Sequence, residues 1–153
     1  ARSEWVPWFP RTGWQRMLGM SYLELGLRGG TSLLALPGAV TLAGALKLVD
    51  FPKEMHIDVK MDAIGIPASS SLGTWILAAV GLGKVMVAVN HLFLRSSALD
   101  ALYAITAVPG FGLVFYAHRH MVPPEPWANE VPVFVLPLMF IAIWLLPSKK
   151  KQG

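Results

Sequence analysis

Four long apolar runs occupy most of this chain of 153 residues, and they decide the solvent in which it folds. The residues that interrupt the runs are mainly Gly, Ala, Thr and Pro, which lipid-embedded helices tolerate. A helix needs about 20 residues to cross a hydrocarbon core of ~30 Å. The second and third runs meet that length, and the first and fourth need flanking residues. The sequence therefore predicts an all-α integral membrane bundle of four transmembrane helices with a short N-terminal interfacial segment, its apolar runs being Thr31–Leu48, Leu72–Leu94, Ala98–Ala117 and Val131–Leu146.

Composition narrows the chemistry that the chain can perform. Charged residues make up 14% of the sequence, against about 25% in soluble domains. Cysteine is absent, which excludes disulfides, thiolate metal sites and iron–sulfur clusters built from this chain. The chain starts at Ala1 without a charged segment leading into an apolar one, and from this we expect a processed protein.

The distribution of charge predicts the orientation of the helices. Residues 1–30 carry four arginines against two glutamates, net +2, and the tail 148–153 carries three lysines, net +3. The connection 49–71 holds two lysines against four acidic residues, net −2. Four crossings place both termini on one side, and the positive-inside rule makes that side cytoplasmic, stromal or matrix. The net positive charge of the chain is thus explained by the basic side of a membrane protein, and we expect no nucleic-acid partner.

Three regions follow from this pattern: an aromatic and basic surface arm with an interfacial helix (1–30), a four-helix transmembrane domain (31–147) and a basic tail (148–153). The arm Ala1–Gly13 is broken by prolines, and its aromatic residues predict contact with the membrane surface or with another subunit. Residues 14–28 form either the interfacial helix or the opening turns of the first crossing. We expect a hinge at Gly29–Gly30 and a kink at Pro37.

Few polar residues inside the crossings are candidates for a site. His91 and His118 end helices two and three on opposite sides of the bilayer, so a haem shared between them is excluded. Each is a candidate axial ligand for one chlorophyll; the alternative, which we favour, is a histidine hydrogen-bonded at the boundary. His56, His118 and His120 together with nearby acidic side chains are a conceivable metal set, but such groups at a water boundary are more often solvated, and we assign no metal.

Lys84 is the only charged side chain well inside a predicted crossing. A lysine there is either neutral or in need of a polar contact, because the nearer end of the helix is ~15 Å away, beyond the reach of its stem. We expect that contact to be a neighbouring helix's carbonyl, a bound cofactor group or an acidic residue of another subunit. Carbonyls exposed by Gly81 and Gly83 are the simplest alternative.

The chain resembles the DoxX-like four-helix membrane proteins in three short segments, GALKLVDFP (Gly44–Pro52), ILAAVGLGKVMVAV in the second helix and FYAHRHM at the end of the third. The resemblance places the family's Gly–x–x–Lys at Gly44 and Lys47 and its histidine at His118. Where members commonly carry a carboxylate, this chain has Lys84. Some members are tied to quinone-linked oxidation, which the resemblance implies as an alternative function.

Two function classes remain open. One is a non-catalytic accessory subunit of a large energy-converting membrane complex, a photosystem being favoured over a respiratory complex, in a thylakoid membrane before a mitochondrial inner membrane. It would contact other membrane subunits and lipid, and from the parent complex also chlorophyll or carotenoid. The other is a DoxX-like membrane component of a quinone-linked oxidoreductase. No nucleophile triad, phosphate-binding loop or paired intramembrane carboxylates is evident in the sequence, which favours the first class.

Overall fold

The computed structural model describes residues 20–146, and over that range the chain is all-helical. The predicted arm Ala1–Gly13 and the basic tail 148–153 lie outside the described residues. The α-helices are α1 (Tyr22–Ser32), α2 (Ala35–Ala45), α3 (Ile57–Ala63), α4 (Ser71–Val89), α5 (Ser97–His120) and α6 (Val131–Leu145). A π-helical turn, Asn90–Leu94, extends α4, and 3-10 turns precede α3 (Lys53–Met55) and α6 (Trp127–Glu130).

Within the described residues, three helical segments are long and apolar enough to cross a membrane: Ser71–Leu94, Ser97–His120 and Trp127–Leu145. They correspond to the second, third and fourth predicted runs. In their most apolar stretches only 22%, 17% and 22% of the residues are buried within the chain. Most of this apolar surface therefore faces outward, as expected of helices solvated by lipid.

The prediction that Thr31–Leu48 forms a fourth such helix is wrong as stated, because the helix is broken. The backbone turns at Leu33–Leu34, and two helices of 11 residues each replace one long helix. Pro37 accounts for the position of the break: it has no N–H to donate to the Leu33 carbonyl, and its ring clashes with that group in a continuous helix. The kink expected from Pro37 is thus present, whereas the hinge expected at Gly29–Gly30 is not, since α1 runs through both glycines.

The helices pack as two pairs. The α1–α2 segment lies along α4, and α5 lies along α6, while α1 contacts both α4 and α6 and so joins the pairs. Helix α3 packs against α5, and its buried Met61 meets Ala45 and Leu77. Helix α1 contacts α4 and α6 along one face, which holds the buried Glu24, Arg28 and Thr31, while Tyr22 and Leu23 are exposed.

The closest helix approach is between α2 and α4, at Gly38 and Gly81. A Cβ built on Gly81 would lie 2.6 Å from the Gly38 carbonyl oxygen and 2.6 Å from the Leu42 nitrogen. A Cβ on Gly38 would lie 2.6 Å from the Lys84 Cβ. Small residues at this crossing let the two backbones touch, which is how helices associate without a hydrophobic driving force.

Serine side chains cap the N-termini of both helices of the α4–α5 hairpin. Ser70 caps α4 by accepting a hydrogen bond from the Gly73 N–H (3.0 Å). Ser96 caps α5 after a left-handed turn at Arg95 (φ 49°). The tight turn folds the start of α5 back onto the π-helical end of α4, and this positions the first polar cluster.

Candidate functional site: two buried polar clusters

A cluster of polar side chains is buried where α1, the π-helical turn and the start of α5 meet. We call it the Arg28 cluster. Its members include two carboxylates and one guanidinium, and none is more than 4% exposed: Glu24, Arg28, Thr31, Asn90, His91 and Asp100.

Arg28 is the centre of this cluster and is fully surrounded, at 1% exposure. Its Nε donates to Glu24 Oε1 one helical turn earlier (2.9 Å). Its two terminal nitrogens donate to both oxygens of Asp100, at 3.3 and 2.8 Å, and Nη1 also donates to the His91 carbonyl (3.3 Å). A bidentate guanidinium–carboxylate pair of this kind is directional as well as strong. It joins α1 to α5 across 72 residues of sequence.

The π-helical turn supplies the remaining contacts. Asn90 donates from Nδ2 to Asp100 Oδ1 (2.8 Å) and accepts at Oδ1 from the Ser96 N–H (3.0 Å). His91 Nδ1 lies 2.7 Å from the Thr31 hydroxyl, which itself donates to the carbonyl of Leu27 or Arg28. Since those carbonyls can only accept, we infer that His91 Nδ1 donates to Thr31 Oγ1. His91 Nε2 then faces Asp100 Oδ1 at 4.0 Å.

Within the described residues, this arrangement pairs the buried guanidinium with two buried carboxylates, those of Glu24 and Asp100. Breaking a buried pair by removing one partner typically costs ~3–5 kcal/mol, because the other charge stays buried. The cluster therefore joins α1 to the π-helical end of α4 and to the start of α5.

A second cluster lies at the opposite end of α5, about 27 Å from Asp100 at 1.5 Å per residue. We call it the Glu130 cluster. Glu130, 1% exposed, accepts from Arg119 Nη2 at Oε1 (2.9 Å) and lies 3.2 Å from His118 Nδ1 at Oε2. Arg119 also donates to the Glu125 carbonyl, and its guanidinium lies over the Trp127 ring at 4.3 Å. These contacts fold the α5–α6 connection onto the end of α5.

Lys60 on the connecting helix α3 lies within reach of this second cluster. Burial lowers the pKa of the Lys60 ammonium below its ordinary value of 10.5, and the Glu125 and Glu130 carboxylates oppose that shift. At a pH below this lowered pKa, the Lys60 ammonium is charged in the folded chain although it is partly buried. Between the lowered pKa and 10.5 the unfolded chain binds more protons than the folded one, so stability rises with pH.

We expect Lys60→Met to increase the free energy of unfolding at neutral pH and to flatten its rise toward alkaline pH, because the buried charge is removed. Chemical unfolding in detergent from about pH 7 to about pH 10 measures this. Lys53→Met, which removes an exposed lysine of the neighbouring 3-10 turn, is the matched control. If the free energy of unfolding depended on pH identically in the two variants, the lowered pKa of Lys60 would be contradicted.

The histidines singled out from the sequence lie in different clusters. His91 belongs to the Arg28 cluster and His118 to the Glu130 cluster, so the structure places them at opposite ends of α5. Each uses Nδ1 in a polar contact, and Nε2 of each is covered by neighbouring atoms. An axial ligand must present a nitrogen lone pair to the metal. Ligation of a chlorophyll by either histidine would therefore require the side chain to leave its present contacts.

Lys84 lies on α4, partly buried, with its Cβ against Gly38 of α2. Among residues 20–146 it forms no hydrogen bond or ion pair, so the carbonyls near Gly81 and Gly83 do not satisfy it. The distance along the helix to Leu94 is ~15 Å and to Ser71 ~20 Å. An ionised lysine at such depth costs ~2.5–3.5 kcal/mol on insertion scales. A contact with a cofactor group or with another subunit stays a prediction.

Sequence reasoning missed the pairing of Arg28 with Asp100. It placed Arg28 in the surface region 1–30 and did not single out Asp100 as a site residue. The signal was available: Arg28 follows Glu24 by one helical turn in a segment leading directly into an apolar run, and an ionisable group in such a position calls for a named partner. Glu130 was likewise not singled out.

Comparison with known proteins identifies no relative: no family model, no curated protein and no solved structure matches the chain.

Proposed function

We propose that this chain is a non-catalytic accessory subunit of a large energy-converting membrane complex, a photosystem before a respiratory complex. One observation carries the proposal. Within each of the two clusters the charged side chains bind one another, while the long helices expose apolar faces. The buried polar groups thus act as structural clamps. The outward faces include the exposed Trp75, Leu36 and Leu138. They are suited to contact with lipid and with the helices of neighbouring subunits.

We further propose that α1 and α2 together make a fourth membrane element. Residues 22–45 span ~36 Å at 1.5 Å per residue, enough for a core of ~30 Å, although each helix of 11 residues spans only ~16 Å. The charges of Glu24 and Arg28 are compatible with this because Arg28 pairs with both Glu24 and Asp100. Broken helices are tolerated in membranes where neighbouring helices cover the break.

The fourth element predicts that both termini share one face of the membrane, the stromal, matrix or cytoplasmic one. Protease-cleavable tags at the two ends, tested in sealed vesicles, measure this. Both tags should be cleaved, or both protected, in vesicles of one orientation. Cleavage of only one tag would leave three crossings and contradict the proposal.

Membership of a complex is tested by extraction of the native membrane in a mild detergent. A tagged chain should migrate in native gels with an assembly far larger than 16.7 kDa. Chlorophyll absorption in that band supports a photosystem, and haem absorption without chlorophyll supports a respiratory complex. Migration as a small free species under conditions that keep other complexes intact would overturn the proposed function.

A further inference from the structure

Lys84 lies on a part of α4 that is open on one side. Gly83, its neighbour, has no atom within 4 Å of the position that a Cβ would take. Leu82 is 50% exposed and Val80 44% exposed, whereas Gly81 on the adjoining face touches α2. Lys84 therefore stands at the edge between the α2–α4 contact and an uncovered apolar surface near the middle of the membrane.

No acidic group of the described residues serves as its counter-charge. The carboxylates of Glu24 and Asp100 bind Arg28, and that of Glu130 binds Arg119. Lys60 also acts on Lys84, but it is a second cation and cannot neutralise it. A carboxylate that pairs with an ionised Lys84 must therefore come from outside the described residues.

The depth of Lys84 restricts what that group can be. Anionic lipid headgroups lie at the membrane surface, ~15 Å along the helix from Lys84, and a four-carbon stem cannot reach them. A carboxylate on a second transmembrane helix lies at the required depth. The bare backbone at Gly83 lets such a helix approach closely beside the exposed Val80 and Leu82.

We propose that Lys84 is the contact point for a transmembrane helix of another subunit that carries an aspartate or glutamate near the bilayer midplane. The inference rests on the proposed function and names the chemistry of the partner. Charge complementarity in a medium of low dielectric makes the pairing selective, because a helix without the carboxylate leaves Lys84 unneutralised.

Carbodiimide coupling tests the contact directly, since it joins an amine to a carboxylate only when the two touch. Treated native membranes are extracted, and peptides containing Lys84 are identified by mass spectrometry. We expect a cross-link from Lys84 to an acidic residue within an apolar segment of a different polypeptide. Coupling to a serine phospholipid, coupling only within this chain, or no coupling at Lys84 in an intact assembly would each overturn the inference.

Matched variants give a second readout. Lys84→Met should reduce co-purification with the assembly by on the order of tenfold or more, and Lys84→Arg should retain it. Lys53→Met controls for loss of a lysine, and circular dichroism shows whether each variant is folded. Full retention of Lys84→Met would overturn the inference while leaving the proposed function intact. Absence of the wild-type chain from any large assembly would instead remove the proposed function.

Discussion

Asp100→Leu is expected to destabilise the bundle by about 3–5 kcal/mol. Asp100 is 1% exposed and accepts hydrogen bonds from both terminal nitrogens of Arg28 and from the side-chain amide of Asn90. Leucine would leave the guanidinium buried with only Glu24 as a carboxylate partner and would leave Asn90 Nδ2 without its acceptor. Unfolding by denaturant in a mild detergent, followed by circular dichroism, measures the change.

Asp58→Leu is the control, because it removes an exposed aspartate from α3 and should change stability by less than about 0.5 kcal/mol. The triple variant Glu24→Gln, Arg28→Met, Asp100→Leu should lose less stability than Asp100→Leu alone, since it leaves no unpaired charge. Equal stability of the Asp100→Leu and Asp58→Leu variants would show that the Arg28 cluster does not hold the helices together.

Gly81→Val is expected to cost about 3 kcal/mol, the upper end of the ordinary range for overpacking. The atoms that a side chain would meet are the backbone of Gly38 and Leu42, at 2.6 Å, and backbone cannot move aside as a flexible side chain does. The α2 and α4 helices would have to separate along their main contact. Thermal unfolding in detergent, compared with the wild-type chain, measures this loss.

Gly83→Val provides a control on the same helix, two residues away. No atom lies within 4 Å of the Cβ position at Gly83, so this change should stay within about 0.5 kcal/mol of wild type. Valine has a better helix propensity than glycine, so similar losses for both variants would mean that the α2–α4 contact does not determine the cost of replacing Gly81.

The long apolar helices were predictable because hydrophobicity over about 20 residues is a local property of the sequence. The Ser70 cap is a local property as well, because the Ser70 hydroxyl accepts from the N–H of Gly73, only three residues later. The kink at Pro37 was also predictable, because proline acts on the carbonyl four residues earlier, whereas the hinge expected at Gly29–Gly30 was wrong.

The polar clusters could not be assembled from local patterns. Arg28 and Asp100 are 72 residues apart, and their contact depends on the α4–α5 turn bringing Asp100 beneath Asn90. Lys84 was recognised as requiring a partner, but the sequence does not show which face of α4 is covered. Helix packing determines that face, through the Gly38–Gly81 contact.

The separation of Arg28 from Asp100 also has a consequence for biosynthesis. At ~5–20 residues per second, Arg28 is made roughly 4–14 s before Asp100. In the proposed topology, α1 without Asp100 leaves Arg28 with Glu24 as its carboxylate partner among the described residues. The complete set of ion pairs that offsets the burial of Arg28 in the proposed first membrane element then forms only after the start of α5 has been made.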